Sequence, residues 1–363
     1  MADLNVSSVE DGSTHTVTSH SVQVGGSTLT LRDALPDDVT AVLALHQHVF
    51  GPGADARWFA WKYGQESNQG RGRASGAWHD GQLVAYCGGL PRTLTLHSTS
   101  LRGLQIGDVM VHPAWRGILS RRGPFFQVSK LFYDRQIGGA SSHPFELGFG
   151  FPNARHLRLA VLLGLLNDGG VIQSLRWSSL PAFNFRLPWF WRWQPLLPSD
   201  PHFDRKVNAA WKRMKVELPH VVLGQRDATY MRWRYVDRPS GDSEHGKTTP
   251  RYHFFELRYA WSNVSSGIAV LDLASPTSHW LDWVGAVGLM PLASQACRME
   301  AARAGASELM AWASSAVASL LVDSDIQGRE VCAGLGIPVA SDLQSHNIAD
   351  VPWWLTGGDT DFL

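Results

Sequence analysis

The sequence has little cysteine: Cys87, Cys297 and Cys332 are the only three, too scattered for a disulfide framework and without the close Cys or His pairs of a zinc site. All three are expected to be reduced and packed, and no metal is expected. Neither sign of charge is in excess, with 32 Lys+Arg against 32 Asp+Glu. Without a basic block there is no electrostatic footprint for a duplex, so no nucleic-acid partner is expected. Long apolar runs are also missing; none approaches the roughly 20 residues of a membrane-spanning helix. The first residues, MADLNVSSVEDGST, lack the basic and apolar regions of a secretory signal. The expected location is the cytoplasm, with peripheral contact at the inner membrane as the membrane option. Tryptophan is what the chain has in quantity: 16, against 7 Tyr.

At 363 residues the chain is about twice a domain of roughly 100 to 200, which implies two domains. Residues 1–28 are polar and are expected to be flexible. Leu29 to Leu35 reads as a strand, and Pro36-Asp37-Asp38 opens a helix whose Val39, Val42, Leu43, Leu45 and Val49 follow the 3.6-residue period. Strand-like segments at 75–79, 83–90, 94–97 and 101–112 make an antiparallel meander. A helix from Phe125 to about Ile137, a strand at 145–151 and a helix from Asn153 to Gly164 complete the first half.

Residues 180–201 carry five prolines with Trp189, Trp191 and Trp193, a pattern that fits neither a regular helix nor a central strand. Segment 179–220 is therefore expected to join the halves. Its mixture of Trp, Phe and Leu with Arg186 and Arg192 also suits a membrane interface, although a buried linker is the preferred reading. Further on, Tyr230-Met231-Arg232-Trp233-Arg234-Tyr235 echoes Trp58-Phe59-Ala60-Trp61-Lys62-Tyr63. Packing explains Trp61 and Trp233 better than chemistry does. A second meander (252–257, 267–273, 279–284), a helix at 291–304 and a strand at 308–313 repeat the first half's order, so 221–363 reads as a diverged copy.

The chemically informative segment is Ile106 to Phe126: a strand, a loop containing Arg and Gly, and a helix start. An opened strand edge offers the backbone N–H and C=O groups of Val109, Met110 and Val111 to the amides of an extended arm. A helix start at Pro124 and Phe125 offers N–H groups and a positive dipole end to phosphates. Arg116, Arg121 and Arg122 add charge, and Gly117 and Gly123 permit close backbone approach. Val109-x-Val111-x-Pro113-x-x-Arg116-Gly117 after a meander, followed by Phe151-Pro152-Asn153 leading a helix that ends at Leu163-Gly164-Leu165, resembles the acyl-CoA signature of the GNAT N-acetyltransferase superfamily. The resemblance spans about residues 29–178. The repeat and the C-terminal Gly358-Asp359-Thr360-Asp361 are similar to tandem members.

The resemblance implies an α/β (α+β) protein of two GNAT-like domains, each a mixed, mostly antiparallel central sheet flanked by helices. Residues 29–178 would bind acyl-CoA; 221–363 would be degenerate, since Ala286-Val287-Gly288-Leu289-Met290-Pro291 replaces the Arg-Gly loop. It implies an acyl-CoA-dependent N-acyltransferase using acetyl-CoA or a longer acyl-CoA as co-substrate, without a metal. The acceptor would be a small-molecule amine such as an amino sugar or amino-acid derivative. One alternative is a long-chain enzyme acting on a lipid amine such as a sphingoid base at the membrane surface; another is an inactive GNAT-fold binding protein. Asn153 would hydrogen-bond the cofactor or cap its helix.

Two departures stand out. The loop has extra residues before Gly123, and Ala160 occupies the position at which many members carry a tyrosine that protonates the leaving thiolate. Tyr133, Tyr86 or water remain as proton sources. For the base, Asp108 lies five residues before Pro113, where similar enzymes often have Asp or Glu. Strand alternation places Ile106, Asp108, Met110 and His112 on one face, making Asp108 and His112 the catalytic candidates. The terminal carboxylate of Leu363 is a third, from the tandem resemblance.

Overall fold

A computed structural model describes residues 6–9, 17–64, 71–180, 184–239, 251–321, 326–342 and 351–360. Leu363 lies outside them. The chain divides into two compact units, the first comprising Met1–Arg92, Arg102–Gly169 and Leu335–His346, and the second Thr93–Leu101, Gly170–Gly334 and Asn347–Leu363. This differs from the sequence division at 178 and 221: each unit is assembled from three separate stretches of chain. Among the described residues no helix is long and apolar enough to cross a membrane.

The first unit contains β1 (Val6–Val9), β2 (Val17–Val24), β3 (Ser27–Asp33), α1 (Val39–Phe50), α2 (Ala56–Tyr63), β4 (Arg73–His79), β5 (Gln82–Leu96), β6 (Thr99–Val111), α3 (Pro124–Gln136), β7 (Leu147–Gly150) and α4 (Ala154–Leu162). The tip of the β5–β6 hairpin belongs to the second unit. Strands β1 to β7 lie in sequence order; β1 to β5 are antiparallel and β6 with β7 is parallel. Leu29 and Leu31 are buried while Thr30 between them is exposed, the period of two that a half-covered strand requires. Asp55 caps α2 by accepting from the Trp58 N–H at 2.7 Å. The core gathers Leu29, Leu31, Val84, Leu104, Val128, Phe132 and Leu157 from strands and helices alike; full burial of one such side chain contributes about 1.5–3 kcal/mol.

Residues 17–24 are a strand and not flexible chain: Val22 and Val24 pack on that core, and Gly25 and Gly26, at φ +56° and +86°, turn the chain into β3. The two segments expected at 83–90 and 94–97 are one strand, β5, running through Pro91. Pro91 lies beyond the last β4 pair, Arg73 with Gly89, so its missing N–H costs no bond on that side.

β8 (Leu166–Trp177) starts in the first unit and enters the second at Gly170. The second unit then builds β9 (Trp191–Pro195), α5 (Phe203–Glu217), β10 (Val222–Gly224), α6 (Ala228–Met231) with a π-helical turn (Arg232–Val236), β11 (Tyr252–Tyr259), β12 (Ser265–Asp272), β13 (Thr277–Gly285), α7 (Met290–Arg303), β14 (Glu308–Ser314), α8 (Ser315–Ala318), β15 (Gly328–Pro338, whose end returns to the first unit) and β16 (Trp353–Trp354). Its main sheet has the order β9-β11-β12-β13-β14-β8. Only the β13–β14 pair in it is parallel. The Pro/Trp-rich segment expected to join the halves supplies this unit with an edge strand and a helix. An edge strand tolerates Pro195 at its end, and Trp191 and Leu196 are buried.

The echo noticed in sequence is structural, since both copies are helical and both Trp61 and Trp233 are buried.

In the second unit, fully buried Arg226 donates to Asp282 (2.8 Å), to the Gly224 carbonyl (2.9 Å) and to Asp359. Burial works against its charge, but Asp282 and Asp359 outweigh that and raise its pKa. Arg226→Met strands both carboxylates, and urea unfolding should show a loss of about 3–5 kcal/mol. Arg232→Met, which breaks a surface pair with Asp204, should cost under about 1 kcal/mol. Equal small losses would mean the buried cluster carries no stability.

Candidate active site

The site begins where a strand pair ends. β6 and β7 pair from Gly103/Leu147 to Ile106/Gly150. Two residues later Pro152, which has no N–H, begins the turn into α4. Gly107 to Val111 continue past the last pair without a β7 partner, so their backbone groups on that side face a gap. One is already engaged: the Val111 carbonyl accepts from Arg116 Nε at 3.0 Å.

Asp108 sits just past the last pair with φ +49°, a left-handed conformation costing a non-glycine residue on the order of 1–3 kcal/mol. It breaks the alternation. Ile106, Val109 and Val111 all pack against the same core, a spacing of three and then two, so the phase slips by one residue at Asp108. The expectation that Ile106, Asp108, Met110 and His112 share a face is therefore corrected. Met110 is fully buried. The His112 ring lies 5.2 Å from that of His48, and its Nδ1 accepts from the Ala114 N–H at 3.3 Å, capping the following 3-10 turn.

Asp108 is instead joined to α2. Lys62 Nζ and Tyr63 Oη each lie 2.6 Å from its Oδ2. Lys62 is completely buried, its ammonium 4.7 Å from the Trp58 ring centre. Both bonds use Oδ2, and Oδ1 has no hydrogen bond among the described residues. Tyr63 also bonds Tyr86, whose pKa burial and the Asp108 charge raise well above the usual value. Neither Lys62 nor Tyr63 was singled out from sequence. The available signal was the Trp-Lys-Tyr triplet of the echo, which reads as packing when taken alone.

Ala160 is buried in the core. Tyr133 lines a cavity of about 300 Å³ with Arg121, Phe126, Lys130, Leu163 and Val339. Burial raises its pKa well above normal, with neighbouring Cys87 adding to the effect. Cys87, buried and bonded to Ser129 and Tyr133, has its thiol pushed up to about 12 and stays a thiol at neutral pH.

The loop from Arg116 to Gly123 explains its own extra residues. Ile118 packs onto the core cluster and would lie 2.8 Å from a Cβ at Gly25, anchoring the loop against the β2–β3 turn. A Cβ at Gly123 would meet the Ile118 carbonyl at 1.9 Å, whereas one at Gly117 meets nothing within 4 Å. Gly123 is thus required by the loop's own fold, and not only by a ligand. Pro124 takes the first turn of α3, and Gly123 provides no side-chain cap. The Phe125 ring meets His156 of α4 at 4.9 Å, and burial lowers the pKa of that histidine. Arg121 and Arg122 are exposed. Asn153 Oδ1 accepts from the His156 N–H at 2.9 Å and so caps α4.

The second unit repeats this architecture with the gap filled. β13 and β14 pair from Thr277/Glu308 to Trp280/Ala311, and Asp282 follows two residues later, as Asp108 follows Ile106. Tyr235 Oη donates to Asp282 at 3.2 Å, as Tyr63 does to Asp108, and Arg234 stands in the place of Lys62. Here the chain's own C-terminal segment enters. The Ser314 N–H donates to the Leu355 carbonyl at 2.9 Å, Thr356 bridges to Ala313, and its hydroxyl donates to Asp282 at 3.1 Å. A Cβ on Gly358 would lie 2.2 Å from Tyr235 Oη and 2.6 Å from Asp282. Among the described residues no group of three or more His, Cys, Asp or Glu side chains is placed to hold a metal ion.

Comparison with known proteins bears on the fold. Residues 30–136 match the model of the acetyltransferase (GNAT) domain. A probable N-acyltransferase from Enterococcus faecalis aligns with a TM-score of 0.63 at 12% identity, over 88% of this chain and 74% of the other. A GCN5-related N-acetyltransferase from Anabaena variabilis aligns at 0.57 and 12% identity, over 85% and 73%. N-myristoyltransferase of Saccharomyces cerevisiae, solved with myristoyl-CoA and inhibitors, aligns at 0.51 and 10% identity, over 85% and 79%. At these identities the likeness is one of fold. No match is found among the curated proteins.

The two loop glycines separate folding from binding. Gly123→Ala should displace the Ile118 carbonyl and weaken CoA binding by more than about tenfold in calorimetric titration, while Gly117→Ala should leave affinity and melting temperature unchanged. Unchanged affinity in Gly123→Ala would place the phosphates elsewhere.

Proposed function

We propose that this protein, with a GNAT acetyltransferase domain at residues 30–136, acts as an acyl-CoA-dependent N-acyltransferase whose first unit binds the acyl-CoA. The observation that carries the reading is the coincidence of three features at one end of one strand: the gap past Ile106/Gly150, the basic loop, and a helix start without a side-chain cap. In the gap the backbone groups of Gly107 to Val111 other than the Val111 carbonyl pair with the amides of the pantetheine arm. Phosphates rest at the start of α3, with Arg121 and Arg122 beside them. Gly123 and Pro124 shape the approach; Asn153 acts by capping α4 and Arg116 by holding the Val111 carbonyl.

In the reaction the lone pair of a neutral amine attacks the thioester carbonyl, the C–S bond breaks, and the amine's proton passes to a base. Asp108 is that base, directly or through water. Lys62 and Tyr63 fix the carboxylate through Oδ2 and leave Oδ1 for the acceptor. A backbone N–H near Val111 polarises the carbonyl. The CoA thiolate, with a thiol pKa near 8–9, needs no obligatory acid. The second unit does not bind a second acyl-CoA, because residues 353–360 occupy the corresponding gap.

A small-molecule amine acceptor is the main reading. A long-chain acyl donor with a lipid amine is the second, favoured by the exposure of Trp189 and Trp261. Free CoA release measured over donors from acetyl-CoA to palmitoyl-CoA distinguishes them by the chain length that gives the highest kcat/KM. Tight CoA binding with no transfer to any amine would instead make the chain a binding protein.

Asp108→Asn should lower kcat about 10²-fold or more with acyl-CoA affinity nearly unchanged, and Lys62→Met should lower kcat by freeing the carboxylate. His112→Gln should have little effect on kcat, because its Nδ1 serves as a cap. Tyr86 and Tyr133 keep their protons above the usual tyrosine range, so neither should produce a limb in the pH–rate profile below pH 9. Full turnover in Asp108→Asn would make the carboxylate only a structural partner of Lys62 and Tyr63.

A further inference from the structure

A row of aromatic rings runs along the outer strand of the second unit's main sheet. Trp191 on β9 stacks on Tyr259, its partner across the ladder, with centroids 4.1 Å apart. Tyr259 stacks on Trp261 at 5.5 Å, and Trp261 meets Trp189 at 6.2 Å. Trp191 is buried, but Trp189 is 78% exposed and Trp261 70%, with Leu197 at 63% and Val264 at 56%. Trp177 and Trp283 of the same unit, by contrast, are fully buried. Two neighbouring tryptophans left in water mark a surface that has a use.

The carboxylates that flank the row in sequence are paired elsewhere, Asp200 and Glu256 with Lys206 and Asp272 with Arg251. Residues 184–199 and 257–271 contain Arg186, Arg192 and Arg258 and no Asp or Glu. Arg192 donates to the carbonyls of Trp189 and Trp191. Arg258 donates to those of Tyr259 and Ser262 and to Gln194. Among the described residues none of the three has a carboxylate partner. Guanidinium charge beside exposed indole rings and aliphatic side chains fits the boundary between headgroups and acyl chains, where the rings sit at the interface and the charges meet lipid phosphates. A second copy of this patch would bring like charges together, and base stacking has no use for exposed Leu197 and Val264.

We propose that this edge of the sheet docks on an anionic bilayer surface, with Trp189 and Trp261 entering the interface and the exposed Arg186 and Arg192, the latter reaching back to the Trp189 carbonyl, meeting its phosphates. No residue of this face is among those assigned to acyl transfer, so the proposal does not rest on that function, although vesicle binding would favour its lipid-amine reading.

The test is co-sedimentation of the full chain with vesicles of phosphatidylcholine alone and with added phosphatidylglycerol, at about 0.1 M salt. The wild type should sediment with the anionic vesicles and at least several-fold less with the neutral ones. Trp189→Ser with Trp261→Ser should reduce binding about tenfold or more with an unchanged circular dichroism spectrum, and Arg186→Gln with Arg192→Gln should remove the preference for anionic lipid. Wild type that stays in the supernatant, or tryptophan variants that bind as wild type does, would overturn the proposal. So would a dimer in sedimentation velocity that these variants abolish, or binding to a single-stranded oligonucleotide without binding to vesicles, since each assigns the face to another partner.

Discussion

The strand pair that stops at Ile106 and Gly150 is the constraint on which the first unit's site depends. Parallel strands hold one another through evenly spaced hydrogen bonds, and this ladder is ended from both sides. On one side Pro152 removes the N–H that would help continue it; on the other, Asp108 takes a left-handed conformation and shifts the strand's phase. Backbone groups that would be a liability inside a sheet become available to a ligand. The same bulge brings the Asp108 carboxylate to Lys62 and Tyr63, so one departure from regular pleating both frees strand backbone and positions a charge.

Comparison of the two units shows what such an opening requires when no ligand fills it. Past the β13–β14 pair, the backbone is satisfied by Leu355 and Thr356, and the carboxylate equivalent to Asp108 is enclosed with Arg226 and Asp359. Burial raises the pKa of Asp282 against the opposing effect of Arg226. In the first unit Asp108 keeps partial contact with solvent, and its Oδ1 has no hydrogen bond among the described residues. One architecture is thus present twice, once sealed by its own chain and once open. Gly358 is the residue that makes the seal possible, because any Cβ there would strike Tyr235 and Asp282.

Much of the order of elements is legible in sequence because apolar spacing carries it: Leu29 and Leu31 on a strand, Val42 and Leu45 on a helix. The loop and the helix starts at Pro124 and Asn153 are legible through their turn residues and caps. What local pattern misreads depends on neighbours distant in sequence. Pro91 looks like a strand breaker, yet lies where β4 has already ended. The polar residues 17–24 look flexible, yet Val22 and Val24 find a core. The face shared by Asp108 and His112 assumes regular alternation, which a single left-handed residue cancels. Lys62 is the deepest omission: an isolated lysine reads as solvated, and its burial follows only from an aspartate 46 residues later.

The central claim is that acyl-CoA enters the gap beyond Ile106/Gly150 and lays its phosphates at the start of α3. Amide hydrogen exchange of the full chain, with and without saturating acyl-CoA, tests it most directly. The account predicts new protection in peptides covering residues 107–111 and 116–126, with none gained in 281–291 around the sealed counterpart. Protection confined to the second unit, or no change in residues 107–126 under conditions where acyl-CoA is bound, would contradict it.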